Sequence, residues 1–223
     1  MNNTDLEGSQ DEAQQAAAQA AVGLVQDGLR VGLGTGDTVG HLLPLLRGHA
    51  RRVTYVASSP RTEQIALELG LNVLPFNTLD RLDLAIDGAD QVAPSGWLIK
   101  GGGGAHTREK IVAAAAERFV VIVAADKLVD ELAPPIPLEL LPFGAASTLR
   151  SLAPARLRPV PPSPDGGQIG DYYGSVDDPA GVAARLSNTP GVVEHGLFPP
   201  ELVSDVLAAS GSGVEKLMPP SNR

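Results

Sequence analysis

The chain has 223 residues, 26 Asp and Glu against 17 Lys and Arg, a formal net charge of −9 and no cysteine. That length supports one large domain or one medium and one small, and 43% apolar with 19% charged residues is the composition of an ordinary globular protein. Disulfides, thiolate metal sites and cysteine nucleophiles are excluded, the acidic balance argues against nucleic-acid or anionic-membrane partners, and no apolar run approaches the roughly 18 residues of a membrane-spanning helix.

The first elements alternate between strand-like and helix-like segments. Ala13 to Val25 has apolar helical spacing and stops at Asp27-Gly28. Val31 to Leu33 reads as a strand running into Gly34-Thr35-Gly36, after which Asp37 can cap a helix over Thr38 to Arg47 that Pro44 kinks or shortens. A strand over Val53 to Ala57 precedes a helix from Pro60 to Leu69, ended by Gly70. Short strands follow at Val73-Leu74, at Leu82 to Ile86 and at Trp97 to Lys100, then a helix from His106 to Arg118. Phe119 to Ala124 is a continuous apolar run, expected of a strand buried on both faces. This alternation predicts an α/β fold, a mostly parallel open sheet with flanking helices of Rossmann-like type.

Composition changes near residue 133, and 13 of the 19 prolines lie within residues 133–203. Leu138 to Leu141, Arg156 to Val160, Gln168 to Tyr172 and Val192 to Leu197 read as strands, with helices over Ala145 to Leu152 and Pro179 to Leu186. That order, βαββαβ, predicts a smaller ferredoxin-like α+β domain. Leu202 to Leu207 can return to the first sheet, and Met218 to Arg223 is expected to fray. The expected division is therefore 1–132 with 204–223 as the α/β domain and 133–203 as the small one. The polar, acidic start, Met1 to Gln10, is unlike a signal peptide, and with no cysteine it suggests a reducing, cytoplasmic setting.

Open parallel sheets bind ligands beyond the carboxyl ends of their strands, which directs attention to three loops. Gly32-Leu33-Gly34-Thr35-Gly36-Asp37-Thr38 offers helix-start amides and hydroxyls for a phosphate, or is simply a strand-to-helix turn. It lacks the third glycine of a dinucleotide fingerprint and the Gly-Lys-Ser/Thr of a P-loop. Asp87-Gly88-Ala89-Asp90 brings two carboxylates to a strand end, where they can meet a polar ligand, ligate Mg²⁺ or cap a turn. Lys100-Gly101-Gly102-Gly103-Gly104 is costly to order, and it places bare amides beside a lysine and just before Glu109. His41, His49, His106 and His195 show no metal-ligand spacing, and a solvated loop position is expected for His106. Ser58 and Ser59 are both expected to cap the helix that starts at Pro60, and Trp97 to serve packing.

Taken in order, GLGTGDT at 32–38, IDGAD at 86–90, IKGGGGAHTREKI at 99–111, AADKLVD at 124–130 and TPGVVEHGLF at 189–198 resemble the type A ribose-5-phosphate isomerases. The resemblance covers nearly the whole chain after residue 11. It implies aldose–ketose isomerisation of D-ribose 5-phosphate and D-ribulose 5-phosphate, a step of the non-oxidative pentose phosphate pathway, through an enediolate and with no metal or organic cofactor. Glu109 matches the general base, Asp87 and Asp90 the acids of the substrate pocket, and Lys100 with Gly101, Gly102 and Gly103 the segment binding the sugar and the enediolate oxygen. Thr35, Gly36, Asp37 and Thr38, together with Gly88, Ala89 and Lys127, match substrate-binding positions. A homodimer or a dimer of dimers is implied, with a small sugar phosphate as the only other partner. The family usually has Ser at Asp37, where a carboxylate repels phosphate unless it turns away to cap the helix. Gln91 stands where Glu is common, Gln14 and Gln15 where a helix lysine is common, and Gly166-Gly167-Gln168 where a Gly-Asn turn is usual. Competing readings are a related sugar-phosphate isomerase or epimerase and a non-catalytic sugar-phosphate sensor.

Overall fold

The computed structural model describes residues 3–217. The chain runs through α1 (Asn3–Val22), β1 (Arg30–Leu33), α2 (Asp37–Leu46), β2 (Thr54–Ala57), α3 (Pro60–Glu68) and β3 (Leu84–Asp87). Short strands β4 (Gln91–Val92) and β5 (Leu98–Ile99) lead into α4 (His106–Ala114) and β6 (Phe119–Ala124). The proline-rich stretch forms β7 (Ile136–Leu140), α5 (Ala145–Ser151), β8 (Ala155–Leu157), β9 (Gln168–Tyr172), α6 (Pro179–Ser187) and β10 (Val192–His195). It is followed by β11 (Leu197–Phe198), β12 (Asp205–Ser210) and β13 (Gly213–Leu217).

The main sheet has the order β13-β12-β6-β3-β1-β2, parallel throughout except for the antiparallel β12–β13 edge. Strand β6 explains its own central place. Val120, Ile122 and Ala124 face a core shared with α1 and α2, while Phe119, Val121 and Val123 face a second core containing Val112 of α4 and Phe198. A strand apolar on both faces buries only between two layers, and each such side chain contributes about 1.5–3 kcal/mol of transfer free energy. Close approach on one face depends on Gly32 of β1, where an added Cβ would lie 2.4 Å from Val112 Cγ1.

The second sheet has the order β10-β7-β9-β8, fully antiparallel, and with α5 and α6 it forms the expected split βαββαβ arrangement. A third, three-stranded sheet, β11-β5-β4, joins the two. There β11 pairs with β5 rather than continuing β10, because Gly196 breaks the expected Val192 to Leu197 strand; its N–H donates to Pro137 O and its carbonyl accepts from Lys100 N.

Several expectations change at element ends. Helix α1 begins ten residues earlier than its apolar face and ends at Val22. Val73 makes one isolated bridge to Tyr55 and forms no strand with Leu74. Helix α4 stops at Ala114, not Arg118, because Ala115 O and Glu117 N are taken by Leu82 and Arg118 O by Ala85 N. The strand returning to the main sheet is β12, shifted past Leu202 by a 3₁₀ turn at Pro200–Leu202. Exposed β13 was not anticipated, and the expected fraying of Met218 to Arg223 lies outside the described residues. Asp37 is not a cap: Gly36, at φ 109°, occupies that position, with no capping side chain. Ser59 does cap α3, accepting from Thr62 N at 3.1 Å.

Candidate active site

Strands β1 and β3 are neighbours in the main sheet, and Asp90 N, just after β3, donates to Ile99 O at the end of β5 in the third sheet, so the three glycine-bearing loops that follow these strands meet. Asp87, the last residue of β3, sits where Gly34 leaves room for it; a Cβ on Gly34 would lie 1.9 Å from the Asp87 carboxyl. Its Oδ1 accepts from Gly88 N at 2.7 Å and Thr35 N at 3.1 Å, and its Oδ2 lies 2.8 Å from Lys100 Nζ. Lys100 also donates to Gly88 O at 2.6 Å and lies 3.1 Å from Glu109 Oε2. One ammonium thus sits between two carboxylates, with all three side chains nearly inaccessible at 3–4% exposure. The Phe198 ring lies beneath, its centroid 5.4 Å from Lys100 Nζ.

The two acids differ in support. Asp87 is saturated with donors, whereas Glu109 Oε2 has the Lys100 ion pair and no aligned hydrogen bond. Burial raises the Glu109 pKa to about 7; Lys100 opposes that shift and Asp87 adds to it. Burial also pushes Asp87 up, against Lys100 and its two amide donors. For Lys100 the burial penalty, which lowers its pKa, is outweighed by the two carboxylates, and the ammonium is stabilised.

Above this trio lies a cavity of about 630 Å³. Its lining includes Thr35, Gly36, Asp37, Thr38, Gly88, Ala89, Asp90, Lys100, Gly101, Gly102, Gly103, Glu109 and Lys127. Every residue expected at the site is therefore together, except that Asp87 lies behind Lys100 and is not part of the wall. Asp90 is exposed and accepts from Gly102 N at 2.8 Å. That bond, with Gly104 N donating to Gly101 O at 3.0 Å, leaves Gly101 and Gly103 as the glycines of this loop whose N–H has no acceptor among the described residues. Asp37 lines the wall, exposed, instead of turning away.

Sequence reasoning missed part of the wall. Gln10, Gln14 and Arg61 close the end nearest Thr35 and Asp37. Arg158, Val160, Pro161, Pro162, Pro164 and Ile169 close the other side from the small unit. The proline cluster at 159–164 was a usable signal, since a rigid apolar segment after a strand can serve as a wall. His106 is a correction. It is the first residue of α4 and fully buried, not solvated, and burial lowers its pKa to about 3.

Among the described residues no group of three or more His, Cys, Asp or Glu could hold a metal ion. The Asp87 donor set, an ammonium and two amides, is that of a lysine anchor rather than a cation cage. No described helix is long and apolar enough to cross a membrane.

A base near neutrality beside a buried ammonium, under loops rich in amides, fits proton transfer next to a carbonyl on an anionic substrate. Known proteins agree with that chemistry. Residues 54–213 match the family model of ribose 5-phosphate isomerase A (phosphoriboisomerase A). Ribose-5-phosphate isomerase A of Nitrobacter hamburgensis is 42% identical over 208 residues, covering 84% of this chain and 90% of the relative. The crystal structure of ribose 5-phosphate isomerase A from Neisseria gonorrhoeae superposes with TM-score 0.90 at 30% identity, over 95% of this chain and 98% of its own. A D-ribose-5-phosphate isomerase in complex with phospho-erythronic acid superposes with TM-score 0.88 at 33% identity, over 94% and 99%. On its loops, its fold and these relatives, the chain belongs to the ribose 5-phosphate isomerase A family.

Proposed function

We propose that Glu109 is the base that interconverts D-ribose 5-phosphate and D-ribulose 5-phosphate in this enzyme, by carrying one proton between C1 and C2. The observation that carries this reading is the Glu109 carboxylate, buried, raised to about 7 and 3.1 Å from Lys100 Nζ at the cavity wall. In the open-chain aldose, Glu109 takes the C2 proton and an enediolate forms, with charge developing on O1. Lys100 and the free glycine amides offset that charge; the O2 hydroxyl proton passes to O1, and the protonated Glu109 returns its proton to C1, leaving a hydroxyl at C1 and the carbonyl at C2. One carboxylate suffices because the same proton is returned, and such catalysis contributes about 10²–10⁴-fold. Further acceleration comes from donors already aimed at the oxygen.

The remaining roles follow position. Asp87 holds Lys100 charged and in place. Asp90, exposed on the wall, suits the hydroxyl proton and ring opening. Thr35, Gly36, Thr38 and Lys127, with Arg61, surround the end suited to phosphate, and Gly88 and Ala89 complete the sugar wall. The relative that binds phospho-erythronic acid supports the assignment chemically, since a planar carboxylate beside hydroxyls imitates an enediolate. A cytoplasmic setting, a place in the non-oxidative pentose phosphate pathway and a homodimer or dimer of dimers belong to the same reading. The division into an α/β domain at 1–132 and 204–223 and a small domain at 133–203 does so too.

The direct experiment mixes purified protein with ribose 5-phosphate and follows ketose formation, with Glu109→Gln as control. Turnover by the wild type and loss of about 10²–10⁴-fold in kcat for the variant are expected; full activity of Glu109→Gln overturns the base assignment. EDTA is expected to leave the rate unchanged, and loss restored by Mg²⁺ would reassign the acids to a metal.

A further inference from the structure

Among the described residues, Arg158 alone hydrogen-bonds the glycine loop from the second sheet's side of the cavity. Arg158, which follows β8, donates from Nη1 to Gly102 O at 2.7 Å and reaches Gly101 O at 3.5 Å. Its other edge is gripped by Asp171 of β9, which accepts from Nε at 3.0 Å and from Nη2 at 2.5 Å. Asp171 is buried, so the guanidinium is fixed before it meets the loop.

Peptide geometry gives this contact a consequence. In a trans peptide the C=O and N–H point in opposite directions. The peptide from Gly101 to Gly102 is held at both ends, its carbonyl near Arg158 and its N–H on Asp90. The next peptide, Gly102 to Gly103, is held only through its carbonyl, and its N–H, that of Gly103, has no acceptor among the described residues. Glycine on both sides makes rotation of this peptide cheap. A rotated peptide would present a carbonyl where an amide is needed, and repel a developing oxyanion.

We propose that Arg158, braced by Asp171, is a positioning residue that fixes the Gly102–Gly103 peptide so that the Gly103 N–H is offered to the substrate oxygen at which charge develops. This rests on the isomerase reading above. It assigns Arg158 no contact with the phosphate, although Arg158 lines the cavity.

The test compares Arg158→Met, Arg158→Lys, Asp171→Asn and the Arg158→Met/Asp171→Asn double variant with wild type, on ribose 5-phosphate. Arg158→Met is expected to lower kcat by about 10- to 100-fold, as loss of an aimed donor does, with KM within about twofold. Lysine, a single donor, is expected to restore part of kcat. Asp171→Asn is expected to lower kcat in the same direction, and the double variant to be no worse than Arg158→Met, because Asp171 acts through Arg158. Without substrate, amide exchange at Gly103 is expected to quicken in Arg158→Met while that in β6 does not change.

Unchanged kcat in Arg158→Met overturns the proposal. So does a rise in KM at constant kcat, which would make Arg158 a phosphate ligand, and so do additive losses in the double variant. Should Arg158→Met fail to fold, the near-isosteric Asp171→Asn and the lysine variant decide by the same kcat and KM criteria. An inactive wild type would instead remove the isomerase reading itself, separating the two failures.

Discussion

Among single residues, Glu109 carries the most specific expectation. The proposed base must be ionised to work, and burial pushes the Glu109 carboxyl up to about 7. The value of kcat/KM is therefore expected to fall below pH 7 by about tenfold per unit, and to level off above it. A flat profile between pH 5.5 and 8.5 would show that no group titrating near neutrality is essential. Asp37 gives a second test. It lines the cavity, exposed, at the start of α2, where its charge opposes an approaching phosphate. At a separation near 4 Å in a watery setting that repulsion is about 1 kcal/mol, so Asp37→Ser is expected to lower KM about fivefold with kcat little changed. An equal or higher KM would mean that the carboxylate does not oppose the substrate.

At the level of elements, the glycines that form the site are spacers as much as turns. Gly34 exists so that β3 can deliver Asp87 to Lys100. A Cβ there meets the carboxyl group at 1.9 Å, and that group cannot step aside without leaving Thr35 N, Gly88 N and Lys100. Gly34→Ala is expected to lower kcat more than tenfold, through the loss of an aimed lysine, and melting temperature will report any wider damage. Wild-type kcat in a folded variant would remove Asp87 from the support of Lys100. The same elements mark what is legible in sequence. Strand β6 has the bounds its continuous apolar run predicts, because burial on both faces leaves little choice, and β9 also keeps its expected bounds. Strand β13 is exposed except at Leu217, so little in its pattern separates it from a tail. The cap at Gly36 was read as Asp37, since a left-handed glycine and an aspartate compete for one position and only backbone geometry decides. The motifs picked out loops that line one cavity. They did not tell that Asp87 stands behind Lys100, or that Arg158 reaches the glycine loop from 56 residues away.

On the scale of the whole molecule, the net charge of −9 and an anionic substrate cease to conflict once the cavity is seen to carry Lys100, Lys127, Arg61 and free amides locally. The larger question is why a second unit is present at all. The residues flanking Glu109 on α4 answer it. Thr107 donates to Glu139 of β7, Arg108 pairs with Asp165 at 2.7 Å, and Lys110 pairs with Glu194 of β10 at 2.7 Å and donates to His195 O. Glu109 alone in this run turns to Lys100. The second sheet and its loops therefore hold the helix that carries Glu109, while the main sheet holds Asp87 and the loop before Asp37. With Glu109 read as the proposed base, activity requires both sheets to be folded and docked, since one clamps the Glu109 helix and the other anchors Lys100 through Asp87. A single unfolding transition is expected, with activity and helix content lost at the same denaturant concentration and calorimetric and van't Hoff enthalpies equal. Lys110→Met is expected to weaken this coupling, because it leaves Glu194 half-buried without its partner, at a cost of about 1–3 kcal/mol. If wild-type activity vanishes in an earlier, separate transition while the main sheet persists, the units are independent and the clamp around Glu109 does not govern stability.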